Sequence, residues 1–150
     1  MYRNGRPLDA AFLANERLFF RCTLDGIGDE GRIKPASIHP PDQSVNREKY
    51  SSCRDVLLPD GSPRSKVWIL WGVAMILVED VPPETRSAGG IAFRFTVEHD
   101  PLDDNYGHSE LRVYKNGQRE RDKKKMNSQV KKEYRTKLAL RTRVVIKPLI

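Results

Sequence analysis

Three features of this 150-residue chain predict an α+β, β-rich fold: a single antiparallel or mixed sheet of about five strands, with one or two short helices and long loops. Apolar and polar residues alternate with period two in several runs, an Asn-Gly pair separates two β-prone segments, and helical spacing is confined to short stretches. The length fits a single domain, residues 1–150, with one core.

Taken in order, Asp9 is placed to cap a turn or two of helix through Phe12, Leu13 and Glu16. Leu18, Phe20, Cys22 and Leu24 then alternate with Phe19, Arg21 and Thr23, which predicts the first strand. Residues 26–42 are rich in Gly, Pro and charge and read as a loop, after which Ser44, Arg47 and Glu48 suit the start of one helical turn. Residues 67–78 are apolar on both faces, including Trp68, Ile69, Leu70, Trp71, Val73, Met75, Ile76 and Leu77, and read as a central strand covered on both sides. Gly72 marks a bulge or bend within it. Residues 59–63 and 81–90 are loops.

Ile91, Phe93, Phe95 and Val97 alternate with Ala92, Arg94, Thr96 and Glu98 to give a further strand. Residues 111–115 and 118–121 flank Asn116-Gly117, a hairpin signal because both turn positions accept positive φ. From about 119 to 132, with the run Lys123-Lys124-Lys125, a mobile and solvated basic connection is expected. The last segment, about 133–147, reads as a strand. Tyr134, Thr136, Leu138, Leu140, Thr142, Val144 and Ile146 fall on one side, and Arg135, Lys137, Arg141, Arg143 and Lys147 on the other. Met126, Val130, Tyr134 and Leu138 recur every four residues and suit a short helix starting at Asn127 or Ser128, but Arg141, Arg143 and Lys147 have no helical logic with that stripe.

Charge is divided unevenly along the chain. Residues 111–150 hold 14 Lys and Arg against 3 Asp and Glu, whereas residues 1–110 hold 13 against 17, within a total formal charge of +7. Such a field attracts polyanions, so the partner classes are nucleic acid, RNA or DNA, acidic protein surfaces and anionic lipid. The expected contacts to phosphate are Lys123, Lys124, Lys125, Lys131, Lys132, Arg135, Lys137, Arg141 and Arg143, with Tyr114 or Tyr134 as stacking partners. A second cluster, Arg47 and Lys49 with Tyr50, has the composition that grips a phosphate and stacks a base.

Two further readings accompany this one. An accessory or inhibitory subunit would dock the same cations on an acidic partner. A metal-independent ribonuclease would use His99 and His108 as its acid and base, since they flank a polar loop between two strands. The same loop suits a zinc ion held by His99, His108 and Asp100 or Glu110, although the spacing fits no standard metal motif, and His99 also suits a structural end to a buried strand face. No cofactor is expected, because the chain has no nucleotide-binding glycine fingerprint, P-loop or nucleophile elbow. The longest apolar run is too short to span a membrane, and no apolar secretory segment follows the first charges. With Cys22 and Cys53 isolated, a cytoplasmic location with reduced thiols is expected.

Overall fold

The computed structural model describes residues 2–3, 5–57, 70–87 and 89–149. The protein is β-rich, and its described residues form a large antiparallel sheet, a two-stranded ribbon and one α-helix. The ribbon pairs β1 (Tyr2–Arg3) with β2 (Arg6–Pro7). The main sheet contains β3 (Arg17–Thr23), β4 (Gln43–Arg47), β5 (Trp71–Leu77), β6 (Glu84–Arg86), β7 (Ala92–His99), β8 (His108–Lys115), β9 (Gln118–Glu120) and β10 (Arg143–Ile146). Their order is β10-β5-β3-β4-β8-β7-β6. One edge of β8 is shared: β4 pairs with its first half and β9 with its second. About five strands is therefore an undercount, because short strands such as β4 and β6 leave little periodic signal.

The predicted alternation in β3 and β7 places Leu18, Phe20, Cys22, Phe93 and Phe95 on one sheet face, joined by Val45, Ala74, Ile76, Leu111 and Val113. That face is covered by helix α1 (Ser128–Arg141) through Val130, Tyr134, Leu138 and Ala139. Tyr134 stacks on Phe95 with ring centroids 4.3 Å apart. On the opposite face a smaller cluster forms where a 3₁₀ turn, Cys53–Leu57, lies over Phe19 and Val73. β5 is thus covered on both sides as expected, but it lies one strand from the β10 edge rather than at the centre. The predicted strand residues 67–69 and the predicted loop 59–63 lie outside the described residues.

The largest correction concerns the basic terminus. The strand expected over 133–147 is α1 followed by the four residues of β10. Tyr134 and Leu138 satisfy both a two-residue and a four-residue repeat, so they could not decide between them. Thr136 and Leu140 are the discriminating positions, and both are exposed, with Leu140 56% accessible. Asn127 caps the helix by accepting from the Gln129 and Val130 amides at 3.0 and 3.1 Å, and Met126 extends the buried stripe. The segment expected to be a solvated connection, 119–132, contains most of β9, a 3₁₀ turn at Lys123–Lys125 and the start of α1.

Two shorter expectations also change. The chain from Leu8 to Asn15 is irregular rather than helical. Its carbonyl acceptors at Asp9 and Ala11 are taken by the Arg47 guanidinium, at 2.7 and 2.8 Å, and the Asp9 carboxylate by Lys49 and Tyr50. Ser44 and Arg47 belong to β4, and only Glu48–Tyr50 turns into a 3₁₀ element. The Asn116-Gly117 hairpin forms as predicted, with φ of 49° and 82° at the two turn residues.

Candidate functional site

The cations named from sequence are exposed or half-buried, and their helical placement separates them. With 100° per residue, Lys131 and Arg135 lie between Leu138 and Ala139 and are half-buried, Lys132 is exposed just beyond Ala139, and Lys137 and Arg141 are exposed toward the Val130 side. Lys123, Lys124 and Lys125 are exposed in the turn before the helix, which Asp122 caps by accepting from the Lys124 amide at 2.9 Å. Arg143 pairs in register with Met75 and so projects from the sheet face opposite α1. The cations therefore do not form the wet side of one strand. Among the described residues, none of these nine lies within ion-pair distance of a carboxylate.

One subset does converge. Arg121, Lys123 and Arg135 line an open cleft of about 650 Å³ with His39, Pro40, Pro41, Asp42 and Asp122. Arg135 is anchored there by donating Nε–H to the Ile38 carbonyl at 2.9 Å. Asp42 on the same wall is already paired with Arg119 at 3.1 Å. A second groove, about 590 Å³, runs between α1 and residues 79–85, with Lys137 and Arg141 facing Glu79, Asp80 and Glu84.

The proposed stackers and the second phosphate cluster are placed differently. Tyr134 is buried in the core, where burial pushes its phenol above the usual range. Tyr114 lies on the other sheet face and donates its hydroxyl to Glu98 at 2.6 Å. Arg47 is fully buried, bonds Glu16 through two 2.9 Å contacts, and sits 3.8 Å from the Phe12 ring centre. Lys49 and Tyr50 are both engaged by Asp9, at 2.6 and 2.5 Å. These two hydrogen bonds hold the Asp9 carboxyl well below the usual carboxylate range. This cluster is an internal clamp on the N-terminal segment.

The two loop histidines are not brought together. His99 is opposite Ser109 in the β7–β8 ladder, and His108 is the next residue along, so their side chains leave opposite faces. His99 accepts from the Asp9 amide at Nδ1, 2.9 Å, and donates from Nε2 to the Tyr106 carbonyl at 2.6 Å. That fixes its neutral tautomer, and burial lowers its pKa further. Both nitrogens are thus committed to backbone. His108 donates from Nδ1 to the Asp100 carbonyl at 2.7 Å, leaving Nε2 toward Ser44 Oγ at 3.3 Å.

Asp100, His108 and Glu110 do bring ligand atoms within 4.8 Å of one another. The charge around them is unsuited to a dication, however, because three guanidiniums occupy the carboxylates. Arg3 lies 2.7 Å from Asp100, Arg112 contacts Asp100 and Glu110 at 3.4 and 3.3 Å, and Arg119 reaches Glu110 at 3.3 Å. Burial and the hydrogen bond with Asp100 push the Glu110 carboxyl up. Burial opposes ionisation of Asp100 as well, but that hydrogen bond and Arg3 hold it below its usual value. The cluster is a self-neutralised network on the sheet face away from α1.

Beside it lies a pocket that the sequence does not signal, of about 310 Å³. Phe19, Asn46 and His108 are direct cross-strand neighbours on β3, β4 and β8 and form its floor, with Arg21 and Ser44 in the next row. The 3₁₀ turn contributes Asp55 and Val56 as one wall, and Asn105 forms another. These residues come from three strands, one turn and one loop, and the register places the strand residues side by side. The chain matches no protein-family model, no curated protein and no solved structure.

Proposed function

We propose that the protein binds nucleic acid through backbone phosphates at the basic cleft and the adjoining surface of α1. Arg121, Lys123 and Arg135 line the cleft, and Lys124, Lys125, Lys131 and Lys132 extend the cationic surface around it. The observation that carries this reading is the absence of carboxylate partners for these lysines and for Arg135 among the described residues, while arginines 3, 17, 32, 47, 112 and 119 are all paired. Cations left unneutralised are those able to release counterions from a phosphate backbone. Such contacts hold a strand without selecting its sequence.

Binding to a labelled single strand, measured by fluorescence anisotropy over a salt series, tests this. Log affinity falls linearly with log salt, by roughly 0.7 per phosphate neutralised. Replacing Lys123, Lys124 and Lys125 together by Ala reduces that slope by about 2. An affinity indifferent to salt, or a triple variant with an unchanged slope, refutes the reading.

A second reading keeps the cations without carboxylate partners among the described residues, Lys123, Lys124, Lys125, Lys131 and Lys132, but docks them on an acidic protein partner instead. A complex that survives nuclease treatment favours this reading, and one that dissolves favours the first.

A further inference from the structure

The pocket on the sheet face away from α1 has the chemistry of a ligand site rather than of a packing defect. Asn46 is 4% exposed, and its Oδ1 accepts from Asn105 at 2.8 Å, but its own amide N–H group donates to no described atom. Asn46 lines the pocket and offers that amide to it as a donor. Directly across the ladder stands His108, about 5 Å away at Cβ. In the neutral ring its Nε2 is the acceptor, with Nδ1 carrying the proton given to the Asp100 carbonyl. The Ser44 hydroxyl, 3.3 Å from Nε2, can turn to donate or accept.

A donor and an acceptor fixed side by side at the bottom of a pocket match the edge of a nucleobase, where ring nitrogens and exocyclic groups alternate in the same way. Phe19 and Val56 supply apolar surface for a planar ring. The volume, about 310 Å³, admits one base and its sugar and excludes a folded strand. Arg21 lies at the pocket with no carboxylate partner among the described residues, its guanidinium 5.0 Å over the Trp71 ring, so one cation remains available to an anionic tail. Asp55 presents a carboxylate able to accept from sugar hydroxyls.

We propose that this pocket binds a nucleoside monophosphate base first, with Asn46 and His108 on the base edge and Arg21 on the phosphate. The site shares no lining residue with the basic cleft. The ligand has two sources, a free mononucleotide or one nucleotide of a strand, and they share this chemistry.

Titration calorimetry with the four nucleoside monophosphates tests the proposal on the full chain. At least one of them binds saturably, and ribose 5-phosphate binds at least about ten-fold more weakly because it lacks the base hydrogen bonds. His108→Ala weakens the monophosphate by about ten-fold. Arg21→Ala, at an exposed position that leaves the core intact, weakens the monophosphate by about ten-fold but leaves the unphosphorylated nucleoside unchanged. The Lys123, Lys124 and Lys125 triple variant binds monophosphate like the parent, which separates failure here from failure at the cleft. A short oligonucleotide weakened by His108→Ala identifies a strand as the source, and one that is unaffected identifies the free nucleotide. No saturable binding to the parent protein, or equal binding of ribose 5-phosphate, overturns the proposal.

Discussion

Replacing Arg47 with Met is the substitution whose cost the structure defines most sharply. The guanidinium is fully buried and makes four hydrogen bonds: two to Glu16, one to the Asp9 carbonyl and one to the Ala11 carbonyl. Met fills nearly the same space, so cavity formation contributes little. What remains is a Glu16 carboxylate, 6% exposed, whose only other polar contact among the described residues is the Lys49 amide at 3.3 Å. Stranding one member of a buried ion pair costs about 3–5 kcal/mol, a third or more of the 5–15 kcal/mol typical of a domain. The carbonyls of Asp9 and Ala11 lie near the surface and recover water, so the carboxylate dominates the loss. Urea denaturation followed by far-UV circular dichroism measures it. Because the penalty belongs to the orphaned charge, Glu16→Gln combined with R47M is more stable than R47M alone, by about 1–2 kcal/mol. A single variant within about 1 kcal/mol of the parent, or a double variant less stable than the single, refutes the reasoning.

Other expectations follow from particular contacts. Gly72→Ala places a methyl group against the Ile146 carbonyl oxygen and 2.8 Å from the Pro148 ring, so it loosens β10 from β5 and lowers stability by about 1–3 kcal/mol, with amide exchange accelerated in those two strands before the rest. Asn127→Ala removes the acceptor of two α1 amides and costs about 1 kcal/mol in the same denaturation assay. Asp9 has its pKa depressed by Lys49 and Tyr50, so its stabilisation is complete above the unfolded carboxyl value of about 4 and is lost as pH falls toward the folded one. Asp9→Asn accordingly flattens the acid limb of a pH–stability curve and leaves its neutral region parallel to that of the parent.

Strong local periodicity was legible and weak periodicity was not. The alternation in β3 and β7 and the Asn116-Gly117 turn could be read directly, because each depends on residues adjacent in sequence. The terminal helix was misread because Tyr134 and Leu138 fit two repeats, and the tie was broken by Phe95, 39 positions before Tyr134. Arg47 carried a misleading signal: a cation beside Lys49 and Tyr50 resembles a phosphate grip, and only the return of Glu16 and Phe12 over it makes it internal. The pocket was illegible for a similar reason. Phe19, Asn46 and His108 come from separate strands, and nothing short of the ladder register places them in one row.

The two strands that end the main sheet, β6 and β10, span three and four residues. β6 carries Glu84 and Arg86, and β10 opens with Arg143 and is followed by Lys147. A neighbouring molecule seeking to add its own backbone to either border meets a rung or two of free amides and carbonyls bounded by charge. An extensive β-structure is thereby given poor footholds for templated growth, so colloidal stability is built into the margins of the fold rather than left to the excess of lysine elsewhere.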